Sequence, residues 1–394
     1  HQIGRTLAGG AAAAAATGSV GGMGLSPSMM GVTEPLPEPL PEPLPEPQPP
    51  SPIGRRSRRW SLLLFALLAL LPAACQRSPG LIRLALNDWP GYEYFRLAKQ
   101  TGFLNPTQLD LRLLNFSDQS AQVQAYLDGR ADAVAITSVD AVQICARRPD
   151  RCPVLVFVID ESHGGDRLLA PPAVTDLRQL VGRPIGLEDS ALAVFLLHRA
   201  FELHGLTSPP RSLQRQVPPA RVAEALRSGA IAAVLTYPPL ANRLQESEGL
   251  GILFSTRDLP GEILDVLAVD PKVLRQRPEA VQALIDGWRQ ARHWEGSAGD
   301  SARLAMARRL GLSQEDLQLA QQGLLYPGLQ EQWQLLRPGP SNHRQDLERI
   351  RKELVRIGRI PKGTPLPALD ARFVFSPLPP PVVEPAAAAG PPRS

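Results

Sequence analysis

Residues 81–92 read Leu-Ile-Arg-Leu-Ala-Leu-Asn-Asp-Trp-Pro-Gly-Tyr, a Leu- and Ile-rich strand pattern that runs directly into a polar and aromatic loop. Residues 162–166, Ser-His-Gly-Gly-Asp, follow the apolar run 154–159 in a similar way. In open α/β sheets small molecules bind in the crevice beyond the carboxyl ends of the strands. The two loops therefore predict a ligand cleft at the edge of one sheet.

Short apolar runs and helical periodicities alternate along the chain from residue 81 onward. The first series predicts strands at 81–86, 109–115, 131–136 and 154–159, with helices at 92–100, 120–127 and 139–145. A second series predicts strands at 184–187, 212–217, 231–235 and 251–255, with helices at 192–204 and 219–227. This alternation indicates parallel sheets with helices on both faces.

The rest of the chain completes the predicted architecture. The apolar run 263–269 is expected to cross back to the first lobe, and residues 271–357 to be almost entirely helical, with Trp288 and Trp294 in the core. We therefore expect an α/β protein with two lobes joined by crossover strands and a helical C-terminal part, which together form a hinged clamp.

Composition and pattern together divide the chain of 394 residues into six segments. The 42 prolines concentrate at the two ends, where we expect disorder over 1–54 and from Ser376 onward. The predicted segments are a Pro/Ala-rich extension at 1–54, an export signal at 55–75, lobe 1 at 80–166, lobe 2 at 167–261, a return to lobe 1 with C-terminal helices at 262–362, and a Pro-rich tail at 363–394.

The export signal is predicted from four arginines between residues 55 and 59, followed by the uncharged apolar run 60–71 and small residues before Cys75. The run is short for a membrane span of about 20 residues, although an uncleaved anchor stays open. Cys75 resembles a bacterial lipoprotein cysteine, but Pro72 stands where an aliphatic residue is usual. Lipidation at Cys75 and cleavage to a free exported form are both compatible with this pattern.

Charge and cysteine content exclude several classes of protein. The net charge of +4 is accounted for by the arginine cluster of the export signal, so no nucleic-acid partner is expected. Cys145 and Cys152 either form a disulfide in an oxidising compartment or remain two free thiols. Three cysteines without CxxC spacing and six scattered histidines predict no metal site, and we expect no cofactor.

Over roughly residues 80–300 the chain resembles the substrate-binding proteins of nitrate-, sulfonate- and taurine-type ABC transporters, the NMT1/THI5-like group. The segments that carry the resemblance are Trp89-Pro90-Gly91-Tyr92, 127–133, 162–166, Asp176-Leu177 with 182–186, and 229–233. The resemblance implies a type II periplasmic binding fold without catalytic residues. It also implies an ABC permease in the inner membrane as partner and a periplasmic location, with the lipid at Cys75 as membrane anchor.

Several cleft residues carry two interpretations each. By the resemblance, Trp89 and Tyr92 enclose the ligand, and Tyr237 matches a family aromatic position; Trp89 can instead pack the following helix. Ser138, beside Thr137, offers a hydroxyl or only caps the helix that follows it. From lobe 2, Ser190 contributes its hydroxyl next to the free N–H groups of Ala191 and Leu192.

Acidic residues dominate the predicted site. Asp166 either holds an ammonium group or fixes the hinge, and Asp265 interrupts an apolar strand, where a lone carboxylate is costly. Together with Asp140 and Glu188, these residues favour a ligand with an amino or amidine-like nitrogen, while helix N-termini remain available to the acid group of a zwitterion such as taurine. The predicted solute is therefore a small nitrogen- or sulfur-containing compound of the taurine/sulfonate, nitrate or pyrimidine/amine class.

Two other functions compete with this one. Pyrimidine-precursor synthases and some dehydratases resemble the same two-lobed fold, so an enzyme is the main alternative. The sequence shows no Gly-x-Ser-x-Gly elbow and no metal-spaced histidine cluster, and His163 is typical of a turn. A sensor that signals to a membrane partner is the third class, but no helical linker or second apolar run supports it.

Overall fold

The computed structural model describes residues 79–298, 300–340 and 342–375. The predicted extension at 1–54, the export signal at 55–75 with Cys75, and the tail from residue 376 onward lie outside the described residues. The described part is built around two mixed sheets, one in each lobe.

The sheet of lobe 1 has the strand order β11-β4-β10-β3-β1-β2, with β12 paired to β4. Its strands β1 and β2 are parallel along their whole length, and β10 runs antiparallel between β3 and β4. The strands are β1 Gly80–Leu86, β2 Leu109–Asn115, β3 Ala133–Thr137, β4 Val154–Ser162, β10 Leu264–Val269, β11 Leu324–Leu325 and β12 Ala368–Leu369.

The sheet of lobe 2 has the order β7-β6-β8-β5-β9. Strands β7, β6 and β8 are parallel, while β5 pairs antiparallel with both β8 and β9. The strands are β5 Arg167–Ala170, β6 Ile185–Leu187, β7 Gln214–Gln216, β8 Ala233–Thr236 and β9 Gly251–Ser255. Strand β5 was not predicted, because it is only four residues long and follows directly on the glycine loop.

The helices pack on both faces of the sheets. The described α-helices are α1 Glu93–Thr101, α2 Gln119–Leu127, α3 Ser138–Arg147, α4 Ala191–Leu203, α5 Val222–Arg227, α6 Leu240–Glu248, α7 Pro271–Gln276, α8 Pro278–Ala298, α9 Asp300–Leu310, α10 Gln314–Gln321, α11 Leu329–Leu336 and α12 Asn342–Arg356. Trp288 of α8 is buried in the core of lobe 1, and Trp294 packs edge-on against Phe103. None of the helices in the described ranges combines the length and apolarity needed to cross a membrane.

The chain passes between the lobes through residues 162–167 and again through residues 256–263. The predicted return strand is confirmed, since β10 lies in the middle of the first sheet with all six residues buried. Both sheets, their mixed topology and the two crossovers define an α/β fold with two lobes, the fold class that the sequence predicts.

The C-terminal segment differs from the prediction of a Pro-rich tail over 363–394. Residues 363–375 fold onto lobe 1, where β12 pairs in parallel with the start of β4. Leu369, Phe373 and Val374 are buried against the core of this lobe. The apolar residues between the prolines drive this packing, because their burial removes apolar surface from water.

Cys145 and Cys152 form a disulfide in the structure, closing the loop between α3 and β4. The loop contains a single turn of 3₁₀ helix at Pro149–Arg151. Arg151 reaches from this turn to Asp270, which caps α7. The disulfide therefore lies at the edge of lobe 1 opposite to the carboxyl ends of its parallel strands.

Candidate ligand cleft between the lobes

Trp89 lies at the carboxyl edge of the first sheet, directly after β1. Its indole Nε1 donates to both carboxylate oxygens of Asp160, at 3.1 Å each. Close packing holds this pair: a Cβ atom on residue 91 would lie 1.8 Å from Asp160 Oδ2, and one on residue 165 would lie 2.6 Å from Trp89 Cη2. Glycine is therefore required at both positions, and Trp89 combines an aromatic face with a fixed carboxylate.

Asp160 and Asp265 are opposite each other on the neighbouring strands β4 and β10. The two carboxyl groups are hydrogen-bonded to each other, and the hydroxyl of Tyr92 donates to Asp265 Oδ1. Burial raises the pKa of both groups well above the ordinary range of a carboxyl, with added repulsion from Asp166 at Asp160 and from Asp160 at Asp265. The pair therefore holds a proton at neutral pH and forms the acidic floor of the cleft.

Asp140 connects the two lobes. It belongs to the first turn of α3 in lobe 1, and its Oδ1 accepts the backbone N–H of Ala191, the first residue of α4 in lobe 2, at 3.0 Å. Its other oxygen accepts from Thr137 Oγ1 at 2.7 Å and from Gln119 Nε2 at 2.5 Å. Burial raises its pKa to about 6, against the opposing effect of these donors.

Ser138 does not cap α3, which was one of the two roles that the sequence left open. The helix begins one residue earlier, and Thr137 caps it by accepting the N–H of Asp140. The Ser138 hydroxyl lies 3.2 Å from His343 Nε2 and bonds to the backbone carbonyl of Leu264. The Ser138 hydroxyl is therefore bonded within lobe 1. One of its partners, His343, belongs to a helix that begins more than 200 residues later in the chain.

The predicted residues of lobe 2 meet the first lobe directly. Ser190 caps α4 by accepting the N–H of Ala193. The Tyr237 hydroxyl donates to Glu188 Oε1 at 3.0 Å and accepts from Asn87 Nδ2 of lobe 1 at 3.2 Å. The ring of Tyr237 stands edge-on to Trp89, 5.8 Å between centroids. Burial raises the pKa of half-buried Glu188 to about 7.

Asp166 lies at the crossover between the lobes. Its carboxylate accepts from Ser162 Oγ at 2.7 Å, and its backbone carbonyl accepts the N–H of Thr256 on the second crossover. The hydroxyls of Ser162 and Thr256 are 2.8 Å apart. Burial raises the pKa of Asp166 to about 6. These bonds tie the two interlobe connections to each other, so the geometry supports the hinge role rather than the ammonium site.

The structure thus brings Trp89, Tyr92, Asp140, Glu188, Ser190, Tyr237 and Asp265 to the facing edges of the two sheets. Ser138 and Asp166 lie at the margins of this group, and contact of any of these residues with a solute stays a prediction. Sequence reasoning included Asn87 only as part of the predicted cleft loop, and it missed Gln119 and Asp160. The Asp-Glu pair that directly follows the apolar run of β4 was the available signal for Asp160, since it ends a buried strand.

The ionisable groups of the cleft are predominantly acidic. Among the described residues, the carboxyl groups of Asp140, Asp160 and Asp265 form no ion pair with a Lys or Arg side chain within 4.0 Å, whereas many surface carboxylates do. No group of three or more His, Cys, Asp or Glu side chains in the described ranges is placed to hold a metal ion. The cleft therefore holds buried carboxyl groups that no Lys or Arg side chain of the described residues pairs with.

Open pockets occur elsewhere on the described surface. One lies between β10 and α12, where Glu161, Glu331 and Lys352 line it, and another lies behind the hinge, beside Arg167 and Arg257. Their linings are mostly exposed polar and charged side chains from the rim of the molecule. We favour the cleft over these pockets because it combines aromatic faces with buried polar groups from both lobes, which the linings of these pockets do not.

The fold is that of type II periplasmic binding proteins. The structure is similar to that of the alkanesulfonate-binding protein SsuA from Xanthomonas axonopodis pv. citri bound to MOPS, with a TM-score of 0.61 and 15% identity over 73% of this chain and 97% of that chain. The periplasmic nitrate-binding protein NrtA from Synechocystis PCC 6803 gives a TM-score of 0.55 at 14% identity, over 73% of this chain and 83% of that one.

Sequence comparison adds a family. Residues 184–310, which cover most of lobe 2 and part of the return to lobe 1, match the model of the NMT1-like family. The resemblance predicted from the sequence is thereby confirmed. No curated protein sequence matches the chain significantly.

An enzyme shares the same fold. The desulfurization enzyme DSZB gives a TM-score of 0.53 at 20% identity, over 75% of this chain and 97% of that chain. Identities of this size show the fold alone, so the function has to be argued from the residues of the cleft.

Proposed function

We propose that this chain is the solute receptor of an ABC importer, and that it closes its two lobes on a small solute bearing a cationic or amino nitrogen. The fold supports the receptor class, since the sulfonate- and nitrate-binding proteins share it. The observation that carries the solute class is the buried carboxyl pair of Asp160 and Asp265 beside Trp89.

A positively charged nitrogen matches this pair in two ways. A buried carboxylate is costly unless it is paired, so a bound cation offsets the cost of ionising Asp160 or Asp265. The face of Trp89 and the ring of Tyr92 bury the apolar part of the solute, and an aromatic face also attracts a cation. Both effects act on the same small volume at the edge of the first sheet.

Closure follows from contacts that only the closed arrangement provides. Tyr237 and Glu188 of lobe 2 bond to each other, and Tyr237 accepts from Asn87 of lobe 1. A solute held on Asp160 and Trp89 gains its second set of contacts from Tyr237 when the lobes meet. The closed form is stabilised because it alone binds the solute from both sides.

Export and partner complete the proposal. The basic and apolar pattern of residues 55–75 supports delivery across the inner membrane, with Cys75 as the site of a lipid anchor. The receptor then delivers its solute to an ABC permease in the inner membrane. The chain performs no catalysis in this proposal, and it needs no cofactor.

A thermal-shift screen of the full chain tests the proposal. The probes are methylguanidine, agmatine, putrescine and 4-aminopyrimidine as nitrogen compounds, taurine as a zwitterion, and methanesulfonate and nitrate as anions. We expect saturable stabilisation by a nitrogen compound, about 2.7 kcal/mol at a hundredfold excess over Kd. Stabilisation by nitrate or methanesulfonate alone would contradict the solute class, and no stabilisation by any probe would contradict the receptor.

One observation favours catalysis as a second candidate function. The buried contact between Ser138 and His343 joins a hydroxyl to an imidazole, the pairing used for nucleophilic catalysis. Burial lowers the pKa of His343 to about 4, so the imidazole is neutral. Mass spectrometry of the stabilising compound after prolonged incubation with the protein distinguishes the two functions: a receptor returns it unchanged, and an enzyme does not.

A further inference from the structure

The N-terminus of α4 is where an oxyanion would bind on lobe 2. A helix N-terminus presents free N–H groups and a positive dipole end, and sulfonate, phosphate and carboxylate groups bind there. Helix α4 has 13 residues, and it begins at Ala191 on the side of lobe 2 that meets lobe 1. The first-turn donors of this helix therefore decide whether an anion can be held in the cleft.

Every donor of this first turn has a partner within the chain. The N–H of Ala191 donates to Asp140 Oδ1, and the N–H of Leu192 bonds to the same carboxylate. The N–H of Ala193 donates to the Ser190 hydroxyl, and that of Val194 to the Ser190 carbonyl. A carboxylate from lobe 1 thus stands where the acid group of a solute would stand.

Lobe 1 holds this carboxylate firmly in place. Thr137 Oγ1 and Gln119 Nε2 both donate to its second oxygen, at 2.7 Å and 2.5 Å. The Asp140 side chain is completely buried, and its backbone lies in the first turn of α3, whose own dipole favours a negative charge. The side chain is therefore fixed by four donors rather than free to swing aside.

We propose that Asp140 is a specificity-determining residue that occupies the oxyanion position of the cleft, so that the receptor takes a cationic solute without a free acid group. This inference rests on the proposed receptor function and narrows its solute class. Sulfonates, nitrate, α-amino acids and taurine are excluded, because their acid group meets a fixed carboxylate and finds no free N–H donor on α4. Simple amines, amidines, guanidines and protonated aminopyrimidines are admitted.

The inference predicts a gain of function, which is measured by calorimetric titration of the full chain with methanesulfonate. We expect Asp140→Ala to bind methanesulfonate. The wild-type protein should show no binding even at a 10-fold higher concentration of methanesulfonate. In Asp140→Ala the first-turn N–H groups of Ala191 and Leu192 and the side chains of Thr137 and Gln119 are released toward the anion. Asp140→Ser is the second variant, since its hydroxyl can keep one bond to these groups if the alanine variant does not fold.

Asp176→Asn is the matched control. It removes the same charge from an exposed position that caps a single 3₁₀ turn of lobe 2, away from α4. We expect it to leave methanesulfonate binding as weak as in the wild type. A gain of equal size in this variant would assign the effect to net charge and overturn the inference.

Two further results would overturn the inference while leaving the receptor function intact. One is binding of methanesulfonate or taurine by the wild-type protein. The other is a folded Asp140→Ala or Asp140→Ser variant that still binds a nitrogen compound but gains no affinity for methanesulfonate. Failure of the receptor function is recognised separately, because the wild-type protein would then bind none of the probes.

Discussion

The two lobes contribute different chemistry to the cleft. Lobe 1 supplies buried, preorganised groups: Asp160 and Asp265 are held by Trp89 and Tyr92 at the edge of a sheet. Lobe 2 supplies half-buried groups, Glu188 and Tyr237, whose bonds reach across to lobe 1. Under the proposed function we therefore expect lobe 1 to contribute more of the binding free energy than lobe 2 does.

The two lobes also differ in which parts of the chain build them. The core of lobe 1 includes the last described residues of the chain, since β12 pairs with β4. The sheet of lobe 2 is built entirely from the continuous segment 167–255. The sheet of lobe 1 therefore depends on pairing with strands far away in the sequence, whereas the sheet of lobe 2 does not.

The largest effect is expected from the chain end. A chain that stops at Lys362 loses the buried side chains of Leu369, Phe373 and Val374, and we expect a loss of about 5 kcal/mol in the free energy of unfolding. Urea unfolding measures it, with a chain that stops at Phe375 as control. Hydrogen exchange should locate the weakening in lobe 1, and equal unfolding midpoints for the two chains would show that the segment adds nothing.

The next effect concerns binding by lobe 1. Asp160→Asn should lower the affinity for the nitrogen compound that stabilises the wild-type protein about a hundredfold, because the charge that faces the cation is lost, at about 3 kcal/mol. Titration calorimetry measures the change, and Asp176→Asn serves as the exposed control. Unchanged affinity would show that the carboxyl pair is not the counter-charge of the solute.

The raised pKa values of Asp160 and Asp265 make the free energy of unfolding depend on pH. A carboxyl group with a raised pKa favours the folded state while protonated, so this contribution is complete below about pH 4 and is lost as the pH rises toward the folded pKa. The pKa is about 6 for Asp140 and Asp166, about 7 for Glu188 and about 8 for Asp160. Buried His343, with its pKa lowered to about 4, acts in the opposite direction below pH 6.5.

We therefore expect the free energy of unfolding to fall by about 2 kcal/mol between pH 6.5 and pH 8, chiefly through Asp160 and Asp265. Thermal unfolding across this range measures the fall, and Asp160→Asn should flatten it. Affinity for a cationic solute should rise over the same range, since the solute binds the ionised form. Stability that is level or rising from pH 6.5 to pH 8 would contradict the raised pKa of the pair.

The smallest effect is expected from lobe 2. Tyr237→Phe removes the hydroxyl that bonds to Glu188 and Asn87 but keeps the ring beside Trp89. We expect roughly a fivefold loss of affinity, about 1 kcal/mol. Tyr126→Phe is the control, since its hydroxyl bonds to Arg151 away from the cleft. A loss of affinity as large as that of Asp160→Asn would contradict the larger contribution expected from lobe 1.

Several elements follow from sequence pattern alone. Strands β2 and β9 have the predicted bounds, and β10 differs by one residue, because a short apolar or alternating run between turn residues is visible in the sequence itself. Strand β5 escaped prediction because four residues are too few to establish a period. Strands β11 and β12, of two residues each, have no pattern of their own and exist only through their pairing with β4.

The candidate site is divided in the same way. The resemblance to the family selected Trp89, Tyr92 and Tyr237, and a carboxylate within an apolar strand selected Asp265. The hydrogen bonds that fix these side chains in the cleft join residues more than 70 positions apart in the chain, such as Trp89 with Asp160 and Tyr92 with Asp265. No local pattern encodes these pairings, so Asp160 was overlooked and Ser138 was assigned a cap that Thr137 provides.

The sequence by itself determined the alternation of strands and helices, the return of residues 264–269 to the first lobe and the acidic, aromatic character of the cleft. These features depend on short-range periodicity and on residue type, which need no partner. Only the tertiary structure decided that Asp140 occupies the start of α4, that His343 contacts Ser138 and that residues 363–375 complete lobe 1. The physical reason is that a hydrogen bond or a buried contact depends on distance in space, and the fold alone brings such distant residues within reach.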